Sequence, residues 1–150
     1  MRLTPDIPPV WLALAIAVAW VQARFLPVGP SLAHPITDVL ASVLIWVGIA
    51  LIALAAFAFW RARTTIIPHN RPSALVTSGI FAISRNPIYL ADALILTGFI
   101  LSFDAVLSLA LVPLFVWFIT VRFIHAEEAR IRDTFGQEFI AYSAKVRRWL

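Results

Sequence analysis

Four apolar runs, separated by short polar stretches, constrain this chain more than any other feature of its sequence. They extend from about residue 8 to 26, 36 to 60, 88 to 103 and 105 to 124. A helix needs about 20 apolar residues to cross the hydrocarbon core of a bilayer, because each residue advances it by about 1.5 Å. The first, second and fourth runs meet this length, and the third is short. A tight break at 102–104 separates the third run from the fourth, so these two are predicted to form a helical hairpin.

The composition agrees with a membrane protein. The 150 residues are 61% hydrophobic with a mean hydropathy of +0.90, whereas a soluble domain is closer to half apolar. We therefore predict an all-α fold, a polytopic membrane helical bundle with about four transmembrane helices plus a C-terminal amphipathic helix. One domain covers residues 1–150. Residues 1–60 supply two generic transmembrane helices, and residues 61–150 supply a loop, the helical hairpin and a C-terminal tail.

The tail predicts the amphipathic helix through its spacing. One apolar stripe recurs every three or four residues, and it consists of Phe135, Phe139, Tyr142, Val146 and Trp149. Such a stripe suits a helix that lies in the membrane interface or against the bundle. Gly136 weakens this helix and is expected to mark a bend.

The distribution of charge predicts the orientation. With four spans, the N-terminus, the loop after the second run and the C-terminal tail lie on one side of the membrane. Eleven of the twelve Lys and Arg residues fall on that side, and only Arg24 lies near the other. The positive-inside rule makes the arginine-rich side cytoplasmic. We expect a multi-pass protein of the cytoplasmic (inner) membrane with both termini in the cytoplasm.

Several classes of site and partner are excluded by the sequence. Cysteine is absent, and the three histidines lie far apart, so no metal site is expected. The pI of about 10.7 does not indicate nucleic acid here, because basic loops in so apolar a chain face anionic lipid. The phosphate-binding and dinucleotide-binding glycine motifs are missing, as is the alternation of strands and helices that Rossmann-type enzymes need.

The first candidate cluster lies where the third run begins. Arg85, Tyr89 and Asp92 are four and then three residues apart. Pro87 suits the first turn of a helix, and a helix that begins there would project all three side chains from one face. Two interpretations stay open at this point. The face could hold a ligand, or Arg85 could extend to lipid head groups while Asp92 pairs with an arginine that follows the second run.

The second candidate cluster follows the fourth run directly. Glu127 has Arg130 three residues later and Glu128 has Arg132 four residues later, which are the spacings of ion pairs along a helix. An ion-paired helix outside the membrane is therefore one interpretation, and a ligand site is the other. Arg122 lies at the membrane boundary, where an unpaired guanidinium is expensive, so we expect it to bind a carboxylate or a phosphate.

Two groups of motifs carry a resemblance to a known family. The first comprises residues 64–69 (TTIIPH), 74–81 (ALVTSGIF) and 84–90 (SRNPIYL), and the second comprises 127–131 (EEARI), 135–139 (FGQEF) with Tyr142, and 146–150 (VRRWL). In order and spacing they resemble the isoprenylcysteine carboxyl methyltransferase and phospholipid methyltransferase family of integral membrane methyltransferases. The resemblance covers about residues 60–150.

That resemblance implies an S-adenosylmethionine-dependent methyltransferase that acts on a lipid-like or isoprenoid-linked acceptor. The implied cofactor-binding residues are His69, Gly79, Arg85, Asn86, Pro87, Tyr89, Glu127 and Glu128, with Arg85 and Glu128 as catalytic residues and with residues 61–87 as a cofactor loop. Arg85 would hold the carboxylate of the cofactor in a bidentate pair, and Glu127 or Glu128 would accept from its ammonium or ribose hydroxyls. The implied partners are the lipid bilayer and a lipophilic small-molecule acceptor.

Two alternatives come from other functional classes. The C-terminal pattern is also similar to that of membrane sterol reductases, which would make the chain an NADPH-dependent reductase-like protein. A non-catalytic membrane subunit with the same fold is the other alternative. The sequence leaves open the identity of the acceptor, whether O, N or S is methylated, the oligomeric state, and which of Glu127 and Glu128 contacts the cofactor.

Overall fold

A computed structural model describes residues 6–64 and 73–150 of the chain. Within these two ranges the regular elements are all helical, and no strand occurs. The α-helices are α1 (Pro8–Phe25), α2 (Pro35–Arg61), α3 (Pro87–Ser102), α4 (Leu111–Ile119), α5 (His125–Phe135) and α6 (Gln137–Lys145). Short 3-10 helices cover Gly79–Ala82 and Val106–Ala110, and a π-helical turn covers Thr120–Ile124.

The predicted membrane bundle is confirmed, with one qualification about its third helix. Three helices are long and apolar enough to cross a bilayer: α1, α2 and the continuous helix Val106–Phe135, which has 30 residues. The third, α3, is apolar but has only 16 residues. Its rise is roughly 24 Å, about 6 Å less than the usual hydrocarbon thickness. The short third run of the sequence is therefore a short helix.

Proline starts each of the first three helices. Pro8, Pro35 and Pro87 occupy the first turn, where a residue without an N–H leaves no donor unpaired. His34 caps α2, because its Nδ1 accepts from the backbone N–H of Ile36 at 3.2 Å. This histidine therefore has a structural role at a helix end.

Consecutive long helices run antiparallel. Trp11 near the start of α1 stacks on Phe118 near the end of α4, with 4.6 Å between ring centroids. At the other end of the bundle, Asp104 accepts hydrogen bonds from the Ser31 hydroxyl at 2.5 Å and the Leu32 N–H at 2.6 Å. These contacts join the connection between α1 and α2 to the turn that follows α3. The start of α1, the end of α2, the start of α3 and helix α5 therefore share one end of the bundle, here called the arginine-rich end.

Helix α3 is the most buried helix of the bundle, and two glycines bring α2 against it. A Cβ built on Gly48 would lie 2.9 Å from the carbonyl oxygen of Ala91, and one built on Gly98 would lie 2.8 Å from that of Ala41. Neither carbonyl can move without moving its helix, so both positions require glycine. Close backbone contact of this kind is a common way for membrane helices to associate. The opposite side of α3 packs on α1 and α4 through Leu96 and Ile100, which are fully buried.

The C-terminal tail consists of α5, which is the last part of the continuous helix Val106–Phe135, and the short helix α6, with the predicted bend between them. Gly136 ends α5 with a φ of +51°, a conformation that side chains with a Cβ rarely adopt, and α6 begins at the next residue. The apolar stripe faces the protein: Phe139 is buried, and Trp149 packs against the core between α1, α3 and α4. The tail thus folds back onto the arginine-rich end.

Candidate active site

The site is built where the start of α3 meets the last residues of the chain. The N–H of Arg85 donates to the carbonyl of Arg147 at 3.0 Å, and the side-chain amide of Asn86 donates to the carbonyl of Arg148 at 2.9 Å. The buried hydroxyl of Ser84 lies 3.4 Å from the same Arg148 oxygen. These bonds fix the extended segment after α6 beside the turn that precedes α3.

A charge cluster forms across this junction. Glu128 on α5 accepts two hydrogen bonds from the Arg148 guanidinium, at 3.0 Å from Nε and 2.8 Å from Nη2. Its Oε1 also lies 3.4 Å from Nη2 of Arg85. One carboxylate therefore serves two guanidiniums, and the fork of Arg148 binds it in the bidentate manner that makes such pairs strong.

The cluster sets the protonation of Glu128. The residue lies on the charged part of the 30-residue helix, beyond the apolar stretch that ends at Ile124. Burial alone would raise the pKa of the Glu128 carboxyl. The hydrogen bond from Arg148 and the positive charges of Arg85 and Arg148 outweigh burial, so that the pKa of Glu128 lies below its ordinary value. Glu128 is consequently an anion at neutral pH.

The neighbouring carboxylate has a different partner. The phenol of Tyr89 on α3 donates to Oε1 of Glu127 at 2.8 Å. Tyr89 is buried, and both glutamates are partly buried. The two adjacent glutamates are thereby distinguished: Glu128 faces the guanidiniums of Arg85 and Arg148, and Glu127 faces the phenol of α3.

One buried donor of the Arg85 side chain has no described partner. Its side chain is 14% exposed, and its guanidinium carbon lies 5.9 Å from the centre of the Phe139 ring. Its Nε–H is buried and has no hydrogen-bond partner among the residues that the structure describes. A buried N–H without an acceptor is costly, and it fits an anionic group brought by a ligand.

The structure brings together most of the residues predicted for the site. Arg85, Asn86, Tyr89, Glu127 and Glu128 meet in this cluster through the contacts given above. Pro87 is buried as the first residue of α3. Gly79 begins the 3-10 helix before it, with a φ of +63°, a conformation that favours glycine. His69 lies outside the described residues. Their roles in binding a cofactor stay predictions.

Three local interpretations of the sequence are resolved by these contacts. Within the described ranges, Glu128 forms no salt bridge with Arg132, because it pairs with residues distant in sequence. Arg122 does bind a carboxylate, that of Asp6, which also accepts from the indole N–H of Trp11 at 3.1 Å. The described part of the chain contains no salt bridge between Asp92 and the arginines that follow α2.

Arg148 is the functional candidate that reasoning from the sequence missed. It lies 20 residues after Glu128, outside the range of contacts within one helix. The only signal was its presence in the C-terminal motif 146–150, which carries no indication of a partner. A further hydrogen bond supports the same junction: Tyr142 on α6 donates its hydroxyl hydrogen to the carbonyl of Phe81 at 2.6 Å.

Comparison with known proteins decides the family. The family model described as phospholipid methyltransferase matches residues 36–138, which is more than half of the chain. This chain belongs to the phospholipid methyltransferase family. The match includes Arg85, Tyr89, Glu127 and Glu128, whereas Arg148 lies outside it. No significant match was found among curated proteins or among solved structures.

Membership of the phospholipid methyltransferase family agrees with the helical bundle. The family makes the chain a membrane methyltransferase, and the apolar helices α1, α2 and Val106–Phe135 are consistent with that location. The matched residues extend from the start of α2 to the second residue of α6, so they include both Tyr89 and Glu127, which are hydrogen-bonded to each other. The contacts of Tyr89 with Glu127 and of Arg85 with Glu128 therefore lie within the matched residues, whereas the contacts with Arg147 and Arg148 do not.

Proposed function

We propose that this protein transfers a methyl group from S-adenosylmethionine to a lipid-like acceptor. Family membership supports methyl transfer in general. The observation that carries the choice of cofactor is the Arg85 guanidinium, which has a buried, unpartnered Nε–H and lies 3.4 Å from the Glu128 carboxylate. S-adenosylmethionine supplies a methyl group bound to a positively charged sulfur, and its amino-acid end carries a carboxylate and an ammonium.

The charges of the cluster fit that amino-acid end. In the structure, Arg85 and Glu128 neutralise each other at 3.4 Å, a longer separation than in a hydrogen-bonded ion pair. A ligand that carries one negative and one positive group can enter between them without changing the net charge of the cluster. Arg85 would bind its carboxylate, and Glu128 would bind its ammonium while it keeps the bidentate bond to Arg148.

The length of α3 supports an acceptor that comes from the lipid. This helix is roughly 6 Å shorter than the hydrocarbon thickness. With the missing length at its first turn, Arg85 and Tyr89 would be within reach of lipid head groups. The protein would then position a polar cofactor and a lipid against each other, and such positioning supplies much of the rate enhancement in transfer reactions.

We also propose that the arginine-rich end faces the cytoplasm, in the cytoplasmic membrane. The excess of Lys and Arg at that end supports this orientation under the positive-inside rule. A water-soluble cofactor made in the cytoplasm would reach Arg85 and Glu128 directly from that side.

Titration of the purified protein with S-adenosylmethionine tests the proposal. The protein is placed in lipid nanodiscs, and binding is measured by calorimetry for the wild type, Arg85→Gln and Arg132→Gln. Loss of the bidentate, charge-assisted bonds of Arg85 should weaken binding by about 10- to 100-fold, the equivalent of about 1.5–3 kcal/mol. Arg132→Gln also removes one exposed positive charge from the same end, and it should leave the affinity unchanged.

The outcomes separate the candidate functions. A folded wild-type protein that does not bind S-adenosylmethionine contradicts the proposal. If NADPH, titrated in parallel, raises the melting temperature and S-adenosylmethionine does not, a reductase-like function replaces it. Retained affinity in Arg85→Gln assigns that arginine to the structural contact with Glu128 alone.

A further inference from the structure

A single carboxyl group inside the bundle is not used by the contacts of the site. Asp92 on α3 is only 5% exposed. Among the residues that the structure describes, none forms a salt bridge with it, and none donates a hydrogen bond to its carboxyl oxygens. Arg61 and Arg63, its expected partners from the sequence, do not pair with it.

Such a group does not stabilise the fold. A carboxyl that is largely removed from water without a protein partner costs free energy, and an apolar side chain of similar size would pack at the same place without that cost. Ionisable side chains within membrane helices are rare, and they mark the pathways or binding sites of polar groups. Asp92 is therefore best explained by a polar group that a bound molecule brings to it.

The position of Asp92 indicates which molecule this is. It lies three residues after Tyr89 on the same helix, so the two side chains are neighbours on one face, at a Cβ separation of about 5–6 Å. Tyr89 contacts Glu127, and Arg85 lies one turn before Tyr89. Polar groups therefore extend from the charged cluster at the arginine-rich end to Asp92, which is the one placed deepest in the apolar part of α3.

We propose that Asp92 binds the head group of the methyl acceptor and accepts the proton that its nucleophilic atom gives up. The acceptor is thus a lipid whose head carries an N–H or an O–H. This inference rests on the proposed function, which places the charged end of the cofactor at Arg85 and leaves the deeper end of the polar face for the lipid. A lipid with a carboxylate head is disfavoured, because Asp92 would repel it.

The reaction balances with Asp92 in this role. The nitrogen or oxygen of the acceptor forms a bond to the methyl carbon while the bond between that carbon and sulfur breaks. The bonding electron pair stays on sulfur, which becomes a neutral thioether. The proton of the acceptor passes to the Asp92 carboxylate, so the positive charge of the sulfonium and the negative charge of Asp92 are both lost, and no further reactant is needed.

Lipid retention tests the recognition step without any cofactor. The protein is purified in detergent with equal amounts of phosphatidylethanolamine, diacylglycerol and phosphatidylcholine that carry the same acyl chains, and the bound lipid is measured by native mass spectrometry. The wild type should retain the amine lipid or the hydroxyl lipid at least about threefold over phosphatidylcholine, whose head has neither N–H nor O–H. Asp92→Leu should lose this preference, and equal retention of all three lipids by the wild type overturns the inference.

Kinetics test the proton transfer. In Asp92→Asn the amide oxygen still accepts a hydrogen bond but cannot take a proton, so kcat for the retained lipid should fall by about 100-fold or more while its KM stays within about threefold. A purely structural residue would not separate kcat from KM in this way. Unchanged kcat in Asp92→Asn overturns the proton-accepting role.

The proposed function and the role of Asp92 can be refuted independently of each other. Melting temperatures at or above that of the wild type show that both variants are folded, because each removes an unpaired buried carboxyl. If S-adenosylmethionine does not bind the wild type, the proposed function fails, and the retention experiment still decides whether Asp92 recognises an N–H or O–H head. If the cofactor binds and methyl transfer occurs at full rate without the Asp92 carboxylate, only the inference about Asp92 fails.

Discussion

The ion pair between Glu128 and Arg148 gives the sharpest test of the structure, because the sequence favours a different partner for Glu128. Helix spacing points to Arg132, four residues later, whereas the structure shows a bidentate contact with Arg148 at 2.8 and 3.0 Å. The test is a pair of double-mutant cycles. One combines Glu128→Gln with Arg148→Gln, and the other combines Glu128→Gln with Arg132→Gln.

The expected magnitudes follow from exposure and geometry. The Glu128 side chain is 12% exposed and that of Arg148 is 35% exposed, so the pair lies between a surface ion pair, worth about 0–1 kcal/mol, and a buried pair, whose disruption costs about 3–5 kcal/mol. We expect Arg148→Gln to lower the free energy of unfolding by about 1.5–2.5 kcal/mol, with a coupling to Glu128 of about 1–2 kcal/mol. The coupling of Glu128 to Arg132 should not exceed about 0.5 kcal/mol, the usual value for a helix pair.

Equilibrium unfolding in mixed detergent micelles, followed by tryptophan fluorescence, measures these energies. The lowered pKa of Glu128 adds a check on pH. A carboxyl with a depressed pKa in the folded state contributes stability above its unfolded-state pKa and loses it as the pH falls through the folded-state value. Acidification below about pH 4.5 should therefore destabilise the wild type more than Glu128→Gln. A larger coupling to Arg132 than to Arg148 would refute the tertiary contact and restore the local ion pair.

Two further predictions concern packing and the junction of the tail. Gly48→Leu should lower the free energy of unfolding by about 3 kcal/mol or more, because the carbonyl oxygen of Ala91 on α3 lies 2.9 Å from the added Cβ. Ala50→Leu, on the exposed side of α2, is the control, and it should change the free energy of unfolding by less than about 0.5 kcal/mol in the same assay. Tyr142→Phe should cost about 1–2 kcal/mol, because the carbonyl of Phe81 loses its donor. Burial raises the pKa of Tyr142 to about 12, so the stability that its neutral hydroxyl contributes should be lost as the pH rises from about 10 to 12. Tyr142→Phe should therefore lose less stability than the wild type over this pH range.

The sequence was sufficient for the helices because their cause is local. A continuous apolar run in lipid must satisfy its own backbone hydrogen bonds, and a helix does so within one segment. The boundaries follow from prolines at the first turn, as at Pro35 and Pro87, and from Gly136, which ends α5. The short third run was visible as such, and it is the short helix of the structure.

The sequence could not fix the direction of Glu127 and Glu128 relative to α3. A π-helical turn at Thr120–Ile124 precedes them, in which the N–H of His125 donates to the carbonyl of Thr120, five residues earlier. This turn holds one residue more than an α-helical turn. Side-chain directions predicted at 3.6 residues per turn are therefore wrong by about 100° for the residues that follow it. Helical periodicity carried through the fourth run therefore misplaces both glutamates.

The class of fold and the identity of the charged residues at one end of the bundle follow from the sequence alone. Both depend on the free energy of placing each residue in lipid or in water, and that quantity belongs to the residue and its near neighbours. Which of these charges meet depends on the packing of the helices. Arg148 reaches Glu128 because the tail turns at Gly136 and is bonded to the start of α3, and no described arginine forms a salt bridge with Asp92. Such pairings depend on the sum of many distant contacts, which no short stretch of sequence contains.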